Sequence, residues 1–581
     1  MAADDKLNYM DEEFANYAES VSCLNLLSFP YADRCEFVKK TPECVEEMRL
    51  LTYTMILSCE IGVKNKFEEC VFISVCVALC FEFLLMLAYI ADVYYSPALR
   101  TISRHLHMNE HLAGVTILAF GNTSPDVFAN LAELKGTRAV FANSMASSLF
   151  VTMLTGGVVC FLSPFRMNAH STVRDILFIM MGVLLMEFLL VDDDEADISE
   201  CIAMIMLYVL YIGVNMIDLY LMRRSIKTIQ IEMEELMYEP ETVETQMKWK
   251  RYQRNLSEML NDVDVKETID PELTRNAHYD PNNSKNDNLF RDAWHVLKPF
   301  KMKEWHESST VWRSILLAKA PVVVLCGLLI PLTNKEHDKH GWCKLLNCIQ
   351  VVITPSLIVM VGMGYIDRSC SVWHLELQFA YTPYLIPLFP LAALVFWHSR
   401  TDTPPSYHWI FSYISVAGSM FLLYVCATEI DKIFDLIGTV LDISEHFMNA
   451  TVCCACNCLG DLVTNAVLAM QGYEKMAYAA SMGGPFFNIL IVTGATFISR
   501  IYLGLENKWE SQLGEYGLNC LVFLILGLFT TLIWTSVLNF RARRSMGIFN
   551  MCIYFLFLLF STLAENGIIH SYRKDHFISI Q

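Results

Sequence analysis

The feature that most restricts this chain is the length of its apolar runs. Thirteen stretches stay apolar for close to the length a helix needs, about 20 residues, to cross a hydrocarbon core of about 30 Å. Strict alternation of apolar and polar residues is absent from them, so they read as helices and not as barrel strands. Composition agrees: of 581 residues 54% are apolar and only 18% are charged, against about 25% charged in soluble proteins. A string of soluble domains, a disordered chain and a disulfide-bound miniature scaffold are all excluded. The net charge of −19 speaks against nucleic acid, whose partners carry clustered Lys and Arg. The expected class is an all-α polytopic membrane protein.

The runs fall into two sets. The first, at 70–93, 111–134, 138–163, 174–191 and 202–221, fills a unit at 70–221 that follows a non-membrane segment at 1–69. A polar stretch at 222–312 comes next, read as a linker or regulatory loop. Additional helices follow at 315–332, 345–366 and 378–397, within 313–398. A second unit at 399–567 holds runs at 408–427, 446–470, 475–499, 516–536 and 546–567, and 568–581 is a tail. The start, Met1 to Ser20, is acidic and reads as neither a signal peptide nor a transit peptide. Cys23, Cys35, Cys44, Cys59 and Cys70 are placed to form disulfides if their segment meets an oxidising compartment. Arg100, Arg104, Arg166, Arg174, Arg223, Arg224 and Lys227 share one side, the inner one, if the N-terminus is outside. Arg541, Arg543 and Arg544 join them only if an even number of spans lies between the central loop and residue 408. That favours twelve spans over thirteen, with 315–332, which carries Lys319, Pro321 and Pro331, the weakest candidate.

The second set repeats the first. At an offset of 335 residues Glu110, His111, Thr116, Asn122, Asp126 and Asn130 coincide with Glu445, His446, Thr451, Asn457, Asp461 and Asn465. At an offset of 337, Ala142, Ser144, Met145 and Phe150 coincide with Ala479, Ser481, Met482 and Phe487. Apolar helices agree by chance at Leu and Val, not at Asn, Asp, Glu and His. The parity of the spans makes the two units run in opposite directions, as inverted five-helix repeats.

Chemistry concentrates at the matched positions. An unpaired carboxylate at mid-membrane costs at least about 2.5–3.5 kcal/mol and marks function by default; Asp126 and Asp461 are two, in equivalent places. Asn122 and Asn457 each precede an Asp by four residues and so share its helix face. Thr123 and Cys458 lie about one turn before the same Asp. Pro125 cannot donate to the carbonyl of Gly121, which leaves that oxygen free; in the second repeat Gly460 takes the proline's place and loosens the helix without forcing a break. Two carboxylates with amide, hydroxyl and backbone oxygens suit Ca²⁺, which takes six to eight oxygens at about 2.3–2.6 Å.

These residues resemble a known family. Gly121-Asn122-Thr123-Ser124-Pro125-Asp126, with Ala142 to Phe150 downstream, is similar to the first α-repeat of the calcium/cation exchanger superfamily. Asn457-Cys458-Leu459-Gly460-Asp461, Gly472-Tyr473 and Gly483-Gly484-Pro485-Phe486-Phe487-Asn488 resemble the second, closest to the branch of the mitochondrial sodium/calcium exchangers. The resemblance implies the sodium/calcium exchanger fold, sodium-driven calcium countertransport by alternating access, and ions held by the second and third helices of each half. Carried over by position, the ion ligands are Asn122, Thr123, Asp126 and Ser147, then Asn457, Cys458, Asp461 and Asn488. Thr123 and Cys456 stand where the branch usually has Gly, and Cys458 where it has a hydroxyl. Val151 and Gly484, opposite Asn488 and Ser147, bring no ligating group. Lithium, proton or potassium coupling is the alternative within the family.

Two readings outside it are a calcium channel, for which an inverted repeat is the wrong architecture, and an intramembrane aspartyl protease. The protease would share a proton between the two Asp, and hydrolysis gives no reason for matched Asn partners. The cysteines at 453, 454, 456 and 458 also suggest a soft-metal path, but the first repeat has no matching thiols. Calcium and sodium are cargo, and no cofactor is expected. The basic aromatic stretch Lys248 to Arg254, within 245–260, is a candidate surface for a regulatory partner or anionic membrane lipid. The branch suggests the mitochondrial inner membrane; the acidic N-terminus points to the plasma membrane.

Overall fold

The computed structural model describes residues 26, 29–31, 33–41, 53–123, 140–192, 197–238, 240, 242–263, 284–300, 302–334, 338–367, 371–372, 375–376, 382–440, 444–504 and 516–570. Among these residues nine helices are long and apolar enough to cross a membrane, and a tenth span forms if one bent pair is counted. The helices are α1 (Lys66–His105), α2 (110–123), α3 (Val140–Leu162), α4 (Ala169–Asp192), α5 (Ile198–Leu236), α6 (Val243–Val263), α7 (Thr310–Leu329), α8 (Lys344–Asp367), α9 (Leu388–His398), α10 (His408–Val440), α11 (Asn449–Asn457), α12 (Leu459–Met470), α13 (Glu474–Tyr502), α14 (Gly517–Val537) and α15 (Arg544–Glu565). Many residues on α5 that find no protein neighbour are apolar, Leu210, Met216 and Tyr220 among them, as a lipid-facing surface requires.

Several helices outrun the expected spans. α1 continues through Pro97 to His105, because a π-helical turn at Ala91–Tyr95 realigns the backbone just before the proline. α5 starts on a capping box, in which Asp197 accepts from the helix N-terminus and Glu200 Oε2 accepts from the Asp197 amide at 3.0 Å. The Ser199 hydroxyl and the Ile198 amide hold the Asp197 carboxyl below the usual carboxylate range. α5 then runs on to Leu236, and α6 folds back along it, so the polar stretch after residue 222 begins as a helical hairpin. The basic aromatic stretch lies on α6, with an ion pair of Lys248 to Glu244 one turn back at 3.2 Å.

Contacts at one end of the bundle fix the direction of the two repeats. Phe165 and Arg166, after α3, pair antiparallel with Ala542 and Arg541, before α15. Arg166 also meets Glu258 of α6 at 3.1 Å, and Lys475 at the start of α13 pairs with Asp262. Arg104, at the end of α1, donates to the Tyr473 hydroxyl at 3.4 Å, and His105 stacks on Trp409 with ring centres 4.5 Å apart. The basic loops and the central hairpin therefore share one face. The segment between Asn286 and Lys344 leaves this region and returns to it, with Lys339 to Asp292 and Lys344 to Asn286 both at 2.7 Å. It includes α7, the helix at the weakest expected span, and adds no net crossing. α8 and α9 make an antiparallel pair, although α9 has only eleven residues. Within the expected span at 378–397 the described residues form Thr382–Leu385 and α9.

At the opposite end, the N-terminal segment packs on the bundle. A disulfide joins Cys35 to Cys59, the Tyr53 hydroxyl donates to Glu429 of α10 at 2.7 Å, and Arg34 meets Glu69 at 3.4 Å. Cys70 is a free thiol, and Cys23 and Cys44 lie outside the described residues.

This arrangement puts the central hairpin and the loop before α15 on the same side of a membrane. In sealed vesicles, Lys248→Cys and Arg543→Cys should react with an impermeant maleimide from the same side; labelling from opposite sides would overturn the topology.

Candidate functional site

Four π-helical turns locate the site, and they obey the repeat. Gly114–Leu118 in α2 and Asn449–Cys453 in α11 differ by the offset of 335; Phe150–Thr155 in α3 matches Asn488–Val492 in α13 at 337. A π-turn shifts the helix face by inserting one residue and tends to occur at functional positions. Each turn here stands next to expected ligands. One comes a turn before Asn122, its mate a turn before Asn457, and the fourth begins at Asn488.

The helix after Asn457 is broken outright. Cys458 leaves the helical region (φ −87°, ψ 2°), and α11 and α12 meet at 48°. The break falls two residues before Gly460, so the glycine sits inside the first turn of α12 together with Asp461. A helix end leaves carbonyls free and a helix start leaves N–H groups free. The break therefore sets the end of α11 against the start of α12, and the positive end of α12 stands beside the Asp461 carboxylate. Asp461 is only 6% exposed.

The expected ligands converge from both repeats. Ser147 of α3, fully buried, accepts from the Cys454 thiol at 3.6 Å, and its backbone oxygen lies 4.0 Å from the Cys458 sulfur. The Asn488 side-chain oxygen accepts from Ser144 of α3 at 3.4 Å, and Ser144 in turn accepts from Thr493 at 3.1 Å. Thr123, buried, donates to Ala119 O at 2.7 Å and turns its methyl to Gly484, whose absent Cβ would stand 3.5 Å away. Asn122 and Asn457 are half-buried, and the Asn122 amide nitrogen finds no hydrogen-bond partner among the described residues. Asp126 and Pro125 lie outside the described residues, as does Asn130.

Three further residues belong to the same constellation. Ser144 is legible in the repeat, opposite Ser481, but Thr493 stands opposite Gly156 and nothing in the pattern singles it out. Tyr95 has no counterpart either. Its hydroxyl lies against Gly121, where a Cβ would meet it at 2.0 Å, and the turn that carries it packs on α12, the helix of Asp461. Tyr95 thus stands between the first repeat's motif and the helix that carries the second repeat's carboxylate. The two repeats close on each other through glycine: at Gly114 a Cβ would stand 2.4 Å from Met476 O, and at Gly483 one would stand 2.8 Å from Val115 Cα.

A cavity of about 50 Å³ opens at the face carrying Arg166, lined in part by Glu110, Asp175, Asp262 and Lys475. Behind it Arg174 bonds Asp218 at 2.8 Å and Asn215 at 2.6 Å, and Tyr211 donates to Asp175 at 3.1 Å. His111 is held there, 3.3 Å from Asp175. An acidic mouth raises the local concentration of cations. The side chains of the matching Glu445 and His446 lie outside the described residues.

A family model described as sodium/calcium exchanger protein matches residues 76–217 and 411–563. The mitochondrial sodium/calcium exchanger protein of Mus musculus is 27% identical over 572 residues, covering 96% of this chain and 92% of the relative. Its Homo sapiens counterpart is 26% identical over 574 residues with the same coverage. Cation/calcium exchanger 5 of Arabidopsis thaliana is 23% identical over 483 residues, 81% of this chain and 79% of that protein. A solved structure of the sodium-calcium exchanger NCX_Mj superposes with a TM-score of 0.40 at 11% identity, over 83% of this chain and 98% of that one.

The Gly121–Tyr95 contact yields a two-step test. Gly121→Ala drives a methyl into the Tyr95 hydroxyl, an overpacking of about 1–3 kcal/mol, and should lower the thermal midpoint in detergent. Tyr95→Phe removes that oxygen, leaving the ring carbon at 3.2 Å as the nearest atom. The double variant should recover part of the loss; a double variant no better than Gly121→Ala would disprove the contact.

Proposed function

We propose that this chain, which belongs to the sodium/calcium exchanger protein family, is a secondary active antiporter that expels calcium at the expense of a sodium gradient. The observation that carries the reading is Asp461. It is a carboxylate buried in an apolar bundle, in the first turn of a half-helix bent 48° from the half before it. Broken helices with free carbonyls at a repeat interface are the way secondary transporters hold cations. We assign Asn457, Asp461 and Asn488 from one repeat, and Asn122, Thr123, Asp126 and Ser147 from the other, to the ions. Cys458 stands at the break itself, with Gly121, Pro125 and Gly460 as the positions that release backbone oxygens.

The energetics suffice. Each sodium ion moving down a tenfold gradient contributes about 1.4 kcal/mol, and each net charge crossing 100 mV about 2.3 kcal/mol. A few sodium ions per calcium then support a calcium gradient of several decades. The relatives named mitochondrial favour a mitochondrial membrane over the plasma membrane.

Sodium-dependent ⁴⁵Ca²⁺ flux in proteoliposomes tests the reading. Asp461→Asn keeps the volume and removes the charge, so flux should fall to background while the protein still inserts; near-normal flux would remove Asp461 from the site. Cys458→Ser exchanges a soft sulfur for a hard oxygen beside Ser147, and hard cations prefer oxygen. Apparent sodium or calcium affinity should rise several-fold. An unchanged dependence on both ions would make Cys458 a packing residue.

A further inference from the structure

We propose that a file of water enters the bundle beside the start of α10 and runs along one face of that helix to Tyr95, at the edge of the ion site. Ser412, Ser415 and Ser419 are at most 1% exposed and, at spacings of three and four, share one helix face. None of their hydroxyls has a hydrogen-bond partner among the described residues. Elsewhere in the bundle the buried hydroxyls of Ser103, Thr123 and Thr152 each donate to the carbonyl four residues back, at 2.6–2.8 Å.

The three serines connect two places that are themselves short of partners. Below Ser412 lies a cavity of about 240 Å³ lined by Thr101, Thr333, His340 and His408 as well as Ser412. Within it Thr333 Oγ1 and His408 Nε2 are buried without a partner among the described residues. At the upper end Met420, next to Ser419, lies beside Gly121, where a Cβ would stand 3.6 Å from its sulfur and 2.0 Å from the Tyr95 hydroxyl. That hydroxyl too is buried without a partner among the described residues. α10 runs antiparallel to α1, from Trp409 on His105 up to Met420 at Tyr95, and the serines climb roughly 10 Å of that distance.

A buried hydroxyl left without a partner is costly, so a line of them calls for one. Water both donates and accepts, and polar side chains inside a membrane protein commonly face water-filled space. The named cavity and file residues include no carboxylate, and the start of α10 is the positive end of its dipole. The file therefore suits water and rejects a divalent cation, whereas the acidic cavity at Glu110 and Asp175 suits the cation. Its inner end rests on the exchanger reading: an ion leaving the site must regain its hydration shell.

The test uses the full chain in proteoliposomes, with Ser412→Cys, Ser415→Cys and Ser419→Cys treated with iodoacetamide. Modification is read by mass spectrometry of the peptide that carries each thiol. Thiols react as thiolates, which form where water reaches them, so all three should react on the order of tenfold faster than the native Cys426 of the same helix. Saturating calcium should slow the reaction at position 419 and leave 412 unchanged. Rates at 415 and 419 no faster than at Cys426 would overturn the file. Rates insensitive to calcium would overturn its link to the ion site, and sodium-dependent calcium flux by the wild type in the same vesicles shows separately whether the exchanger reading holds. Hydroxyl-radical footprinting of the unmutated protein is a second measure: oxidation of Met420 and Tyr95 supports the file, and protection of both refutes it.

Discussion

Burying a carboxylate in a medium that cannot solvate it is the constraint around which this bundle is arranged. Asp461 sits where charge costs at least about 2.5–3.5 kcal/mol, and the surrounding structure supplies compensation locally. The chain breaks at Cys458, which sets Asp461 in the first turn of a new helix, against the positive end of its dipole. On the exchanger reading, a cation drawn to this carboxylate also meets the end of the preceding half-helix, where carbonyls leave the regular ladder. A continuous helix would offer the carboxylate neither. The close approach of α2 to α13 through Gly114 and Gly483 brings the two repeats backbone to backbone around this centre.

Much of this was legible in the residues, for a definite reason. Polar side chains inside apolar helices are expensive, so their recurrence at 335 and 337 residues records a constraint that leucine and valine cannot record. That is why Asn122, Asn457, Asp461 and the inverted repeat stand out, and why the basic residues at 166 and 541 fall on the face that the pairing of Phe165 and Arg166 with Ala542 and Arg541 establishes. What the pattern hid depends on contacts between elements far apart in sequence. Tyr95 lies outside the matched motifs and reaches the site only because α1 crosses Gly121. The π-turns leave no compositional mark, since a turn one residue wider uses the same amino acids. The break falls at Cys458, two residues before the Gly460 that loosens the helix without forcing a break, because glycine adds freedom to a backbone whose course the neighbouring helices decide. Helix ends were missed where polarity rises before the helix stops, as in α5, which runs past Arg224 to Leu236 with α6 packed along it.

The repeats agree in backbone and differ in chemistry, and the difference has a direction. Each half carries its π-turns at corresponding positions, so the two halves can present ligands at mirrored places. Yet Asn488, Ser144 and Thr493, linked through 3.4 Å and 3.1 Å hydrogen bonds, correspond to Val151, Ser481 and Gly156. In the first of these groups an amide oxygen is held by a serine that is itself held by a threonine. In the other, Ser481 turns away and donates to Tyr478 O at 2.8 Å, and valine replaces the amide. A ligand whose orientation is fixed in advance loses less freedom when an ion arrives. The fixed amide and hydroxyl oxygens thus belong to the group around Asn488, and the group equivalent to it by repeat keeps Ser481 alone, turned to Tyr478. The repeats share a backbone frame, and the side chains that differ within it give one group the pre-set oxygen atoms that hard cations prefer.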